Sequence, residues 1–195
     1  MSNTWKTVLS VILLTGILGC GGLRYSEVSP EARDFHPRRI AVLPVDSTAF
    51  PEAKGDVDRL FADVLSELKW FDTVIGGEAV GRRMGSDEGF RQVVTDYLAK
   101  LANVSFSDPA LSGRFGELAG VEAFLLVRVD YWNYTTENDK KIAKISLSVR
   151  LIEARTGKTV WTAFHHRISD YLILKPDLPD VARDLIREMV GHMPH

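Results

Sequence analysis

Residues 38–45 open on two arginines and run through Ile40, Ala41, Val42 and Leu43 into Pro44. This apolar block predicts a buried strand that stops where proline withholds an N–H from the ladder. Val57, Leu60, Phe61, Val64, Leu65 and Leu68 then recur at the three- and four-residue spacing of one helical face. Asp56 is placed as N-cap, and Asp58, Arg59, Asp63 and Glu67 fall on the outward side. Residues 71–75 give a second short strand, which Gly76 and Gly77 end. Phe90, Val93, Val94, Tyr97, Leu98 and Leu101 repeat the helical spacing after a polar start at residues 86–88. A further helix is expected from Pro109 to Ala119, with Leu111, Phe115 and Leu118 inward and Gly120 beyond its end.

The period then changes. Residues 123–127 are apolar throughout, as in a central strand, whereas Ile145, Leu147, Val149 and Leu151 alternate with Lys144, Ser146, Ser148 and Arg150. Residues 160–168 pair back as a hairpin through the turn at 155–158, where Gly157 can take a positive φ. A last helix is expected over residues 179–190, with Val181, Leu185, Ile186 and Met189 inward. Strands and helices in this order predict one α/β domain, residues 38–195, with a mixed sheet and flanking helices.

Upstream, Thr7 to Leu18 form an apolar run behind a start that carries only Lys6, the pattern of a secretory leader. The run is too short for the roughly 20 apolar residues of a membrane-spanning helix. It ends at Ile17-Leu18-Gly19-Cys20, and Cys20 is the only cysteine. These four residues resemble the bacterial lipobox, with Leu18 in place of the usual small residue at the middle position. That resemblance implies cleavage between Gly19 and Cys20, removal of residues 1–19, and palmitate-type acylation of Cys20. Gly21 in place of an aspartate implies the outer membrane. Each buried acyl methylene contributes about 0.8 kcal/mol, so several chains hold a protein on a bilayer. Residues 20–37 show no periodicity and contain Gly21, Gly22, Pro30 and Pro37, which predicts a tether reaching at most about 55–60 Å.

Composition narrows the classes of partner. The mature chain keeps 176 of the 195 residues, and its formal charge moves from −2 to −3 with the loss of Lys6. With neither a basic face nor a charged tail, nucleic acid is not an expected partner. The 45% hydrophobic content suffices for a core without disulfides.

Residues 40–44, the helix after them, Gly120-Val121-Glu122-Ala123-Phe124-Leu125-Leu126 and Thr156-Gly157-Lys158-Thr159-Val160-Trp161 fall in an order similar to the TolB amino-terminal-like envelope lipoproteins, the LpoB/CsgG-like group. The resemblance covers roughly residues 38–190. It implies a periplasmic domain that binds and regulates or scaffolds another envelope protein, such as a peptidoglycan synthase, or that self-assembles within a secretion complex. No cofactor is implied.

Motifs with chemical overtones are weaker. Ser66 and Lys69 match Ser-x-x-Lys, but the companion elements of penicillin-binding enzymes are missing, so a hydrolase is the least favoured alternative. Gly157-Lys158-Thr159 has Ile152 where a phosphate loop needs glycine. His165 and His166 are neighbours in a strand and point to opposite faces, and His192 and His195 flank Pro194, so no metal site is expected. Asn133 opens a glycosylation sequon that a bacterial envelope protein does not use. Tyr131, Trp132 and Tyr134 gather where a strand leaves its apolar stretch, and an exposed edge there is the expected partner-binding site.

Overall fold

The computed structural model describes residues 23–32, 34–104 and 107–195. Six strands form one mixed sheet: β1 (Tyr25–Val28), β2 (Arg39–Val42), β3 (Thr73–Ile75), β4 (Ala123–Glu137), β5 (Lys140–Glu153) and β6 (Thr159–Tyr171). Their spatial order is β1-β6-β5-β4-β2-β3. β2 runs parallel to β3 and β4, while β4, β5, β6 and β1 pair antiparallel. The helices are α1 (Lys54–Leu68), α2 (Gly77–Ser86), α3 (Glu88–Val104), α4 (Pro109–Ala119) and α5 (Leu178–Val190). The expected α/β class with a mixed sheet and flanking helices is the one observed.

Each face of the sheet carries its own core. Leu60, Phe61, Val64 and Leu65 of α1 and Leu185, Ile186 and Met189 of α5 meet Val127, Ile145, Leu147 and Trp161. Arg183 and Arg187 tie the outer sides of these two helices together by pairing with Asp63 and Glu67. On the second face, Val80, Phe90, Val94, Tyr97 and Phe115 from α2, α3 and α4 pack on Ala41, Leu43, Phe124 and Ile152. Phe124 is the hub there, with Tyr97 and Phe115 edge-on to it at 5.3 and 5.0 Å between ring centroids. Such pairs add roughly 0.5–1.5 kcal/mol beyond the area they bury.

Local rules explain the sharper boundaries. Asp108 accepts from the N–H groups of Ala110 and Leu111 at 2.8 and 3.0 Å, Pro109 fills the first turn of α4, and Gly120 ends it at φ 70°. Asn138 and Asp139 both take positive φ, 50° and 62°, closing the β4–β5 hairpin.

Several expectations are corrected. Asp56 does not cap α1: a 3₁₀ turn at Pro51–Ala53 leads straight into the helix, and Asp56 pairs with Arg59 within its first turn. Asp58 is not outward but buried at 4% exposure, where its carboxylate accepts the Val45 N–H at 2.9 Å and fastens the chain leaving β2 to α1. β3 does stop at Ile75, before Gly76 and Gly77 as expected, but these glycines also open an unexpected helix, with Gly76 as the N-cap of α2. Gly77 has a further reason to lack a side chain, since a Cβ there would lie 2.2 Å from the Asp58 carboxylate. The tether is also shorter than its composition implies. Tyr25–Val28 forms the outer strand β1, and the Ser26 hydroxyl accepts the Trp161 indole N–H at 2.9 Å.

β4 is three times longer than its apolar stretch because β5 pairs with it as far as Glu137. A bulge between Val129 and Tyr131 inserts Asp130 and shifts the alternation by one, so that Trp132 joins Val129 in the core beneath the sheet. Trp132 is 4% exposed. Trp132→Ala is therefore expected to cost about 3–5 kcal/mol in denaturant unfolding, and a loss within about 0.5 kcal/mol would contradict its core placement. For Asp58, burial is the largest influence and raises its pKa above the ordinary 3.8. A raised folded-state pKa means that the folded chain holds a proton the unfolded chain has released, so stability falls as pH rises through that window. Asp58→Asn should flatten this fall; a pH profile of the unfolding midpoint identical to that of the parent would refute the assignment.

Candidate interaction surface

The helices of the second face cover the sheet only in part. Phe124 and Ile152 lie under α2, α3 and α4, but the same-facing residues that follow them by twos, Arg128 on β4 and Arg150, Ser148 and Lys144 on β5, lie outside that core. β6 continues the surface with Thr162, Phe164, His166 and Ile168, registered against Arg150, Ser148, Ser146 and Lys144. Most of these residues are half-buried, and Ile168 and Arg128 are exposed.

The polar groups on this bare half-face are held in place. Asp130, displaced by the bulge, accepts from Arg128 Nε at 2.7 Å and from the Ser148 hydroxyl at 2.5 Å. Lys144 donates to Glu137 at 2.7 Å and stands 5.5 Å from the centre of the Tyr131 ring. Tyr131 leans on Phe50 at 5.5 Å. Burial, together with the nearby Arg24 and Lys144, lowers the pKa of His166 from 6.5, which favours the neutral ring. The result is an ordered surface of charged, hydroxyl and aromatic groups.

The three aromatics expected to act together are separated. Trp132 is core and is withdrawn as a contact residue, because the bulge turns it inward. Tyr134 shares Trp132's side, where its hydroxyl donates to the Pro176 carbonyl at 2.8 Å, its ring meets Tyr171 edge-on at 5.9 Å, and the Lys175 ammonium lies 4.6 Å from the ring centre. Burial and the nearby Asp177 and Tyr171 raise the Tyr134 pKa, keeping it a donor. Only Tyr131 faces the bare surface. The expected open edge is present in part: β2 and the Asp46 bridge reach β4 no further than Val129, and among the described residues no strand pairs with its outer side beyond that point.

Other candidates stay apart. Ser66 and Lys69 are both exposed, and Lys69 ends α1 in the left-handed conformation at φ 55°. Gly157 lies in the β5–β6 turn at φ 69°, not before a helix. His165 Nδ1 accepts the Arg24 N–H at 3.2 Å while its Nε2 faces Glu188 at 3.3 Å, and His166 lies on the opposite face. His195 stacks on Trp70 at 3.7 Å, so this end of the chain is packed. An open groove of about 610 Å³ beside Lys54, Glu78 and Arg82 has Asp58 at its base, where that carboxylate is already committed to Val45. Gly19 and Cys20 lie outside the described residues. Among the described residues no helix is long and apolar enough to cross a membrane. Sequence reasoning passed over Leu172, Ile173 and Leu174, although three consecutive apolar residues after an alternating strand are a readable signal.

No family model and no curated protein matches the chain. Its fold is similar to that of the PelC dodecamer from Paraburkholderia phytofirmans, at 17% identity over 87% of this chain and 96% of that one, with a TM-score of 0.54. It is also similar to the lipoprotein GNA1162 from Neisseria meningitidis, at 18% identity over 80% of this chain and 100% of that one, with a TM-score of 0.52. At such identities the likeness is one of fold, and it is a fold that a bacterial lipoprotein has.

Proposed function

We propose that this chain is a lipid-anchored, non-catalytic protein of the bacterial envelope, held through Cys20 on the periplasmic side of the outer membrane, whose α/β domain docks and regulates or scaffolds an envelope protein. The observation that carries this reading is the antiparallel half of the sheet, covered by helices on one side and presenting Tyr131, Arg128, Arg150 and Phe164 on the other. A charged and aromatic sheet face with an open strand edge is suited to a protein partner. The group named from sequence, the TolB amino-terminal-like lipoproteins, has this kind of role.

The short link between lipid and sheet narrows the partner. β1 starts at Tyr25, and five residues from Cys20 extend at most about 17 Å. The domain works against its own membrane, which favours a secretion or export component over a peptidoglycan synthase further into the periplasm. Self-assembly is the second reading, favoured by the PelC structure of this fold being a dodecamer.

Cys20→Ala should move the protein out of the membrane fraction and leave residues 1–19 attached, as read by intact mass; unchanged mass and fractionation would end the anchor reading. Tyr131→Ala should lower the yield of lysine crosslinks in the native envelope several-fold while shifting the unfolding midpoint little. Undiminished crosslinks would remove Tyr131 from the interface. Adducts to another envelope protein support docking, and adducts only between copies support assembly.

A further inference from the structure

Leu172, Ile173 and Leu174 are 91%, 90% and 86% exposed, whereas the other large apolar side chains exposed on the described surface, Tyr25, Val28 and Ile168, reach 46% at most. Three consecutive aliphatic side chains in water on a folded domain mark a contact surface. The loop that carries them is fastened at both feet. Tyr171 belongs to β6 and packs on Tyr134, and the Tyr134 hydroxyl holds the Pro176 carbonyl. The apolar triplet is thus presented at the tip.

The location of the tip identifies what it meets. β6 ends there, and the β4–β5 turn lies at the same end, since Lys141 pairs with Tyr171. β1 runs antiparallel to β6, with Val28 against Trp161 and Tyr25 against Phe164, and the Arg24 N–H continues the path to His165. Traced backward from Tyr25, the chain therefore heads toward the end that carries Leu172–Leu174. Tyr171 lies seven residues beyond Phe164 along β6, about 23 Å, and the five residues from Tyr25 to Cys20 span up to about 17 Å. At full extension Cys20 comes within roughly 6 Å of the level of Tyr171, a distance that its acyl chains can span. Lys141 and Lys175 flank the loop, Lys140 beside them being paired with Asp170, and Tyr134 and Tyr171 stand behind it, an arrangement suited to headgroups and their boundary with acyl chains.

We infer that Leu172, Ile173 and Leu174 insert into the bilayer leaflet that holds the lipid anchor, so that the protein meets its membrane at two points and its sheet stands on end. This inference rests on the anchor reading for Cys20. Two points of contact fix orientation as one flexible lipid cannot, and they turn the bare half-face sideways along the membrane plane.

The test uses the full-length lipidated protein carrying Ile173→Cys, labelled with an environment-sensitive dye and reconstituted into vesicles of phosphatidylethanolamine and phosphatidylglycerol. Acylated Cys20 has no free thiol, so one dye per chain is expected. Lipids brominated on their acyl chains should quench the dye at position 173 several-fold and leave unquenched a dye at Arg155→Cys, in the exposed turn at the opposite end of β5 and β6. One dye per chain with position 173 as unquenched as position 155 overturns the insertion alone. Efficient disulfide formation between two copies at position 173, without quenching, overturns it in favour of a second copy as the occupant. Two dyes per chain overturn the anchor reading, and the inference with it.

Discussion

Strands β4, β5 and β6 are 15, 14 and 13 residues long, whereas α5, which backs them, has 13 residues. At about 3.3 Å per strand residue and 1.5 Å per helical residue, strands of roughly 45 Å are set against a helix of roughly 20 Å. A single helix of that length cannot run the length of such strands. The chain resolves the mismatch asymmetrically. α1 and α5 bury one face, and α2, α3 and α4 crowd over β2, the start of β4 and the end of β5. What remains uncovered is ordered by cross-strand hydrogen bonds, and Asp130 serves as its bracket between Arg128 and Ser148.

The bulge at Asp130 connects this constraint to the rest of the molecule. By shifting the alternation it keeps Trp132 in the core where an unbroken strand would turn it outward, and it leaves Tyr131 on the bare face. Further along, Tyr134 falls on the same side as Trp132 and fastens the Leu172–Leu174 loop. One inserted residue thus sets core, surface and tip along a single strand. The pairing of β1 with β6 adds direction, because the chain traced backward from Tyr25 heads toward that same tip.

Much of this was legible before any coordinates. The 3.6-residue stripes of α1, α3, α4 and α5 and the alternation in β5 reflect burial on one side, and burial on one side is what periodicity records. The misses have the same physical origin. α2 is short, holds three glycines and sends only Val80 and Met84 to the core, so its apolar stripe is a single i,i+4 pair. β1 is exposed along its length and owes its place to pairing with β6. The polar end of β4 is a strand because β5 supplies the ladder, which local composition does not register. Asp58 and Trp132 were misplaced because a charge bonded to a buried amide and a side chain turned by a bulge depend on long-range geometry. The proposed partner surface could be read only as a cluster of aromatics, and one of the three, Tyr131, faces it.

We propose the bare antiparallel half-face, not the helical layer, as the place where this protein meets its partner. It is tested most directly with a photo-crosslinking residue placed at Phe164, half-buried on that face, and separately at Gln92, exposed on α3. The lipidated protein would be irradiated in its native envelope. Covalent adducts are expected from position 164 and none from position 92. Adducts from position 92 with none from position 164 would contradict it.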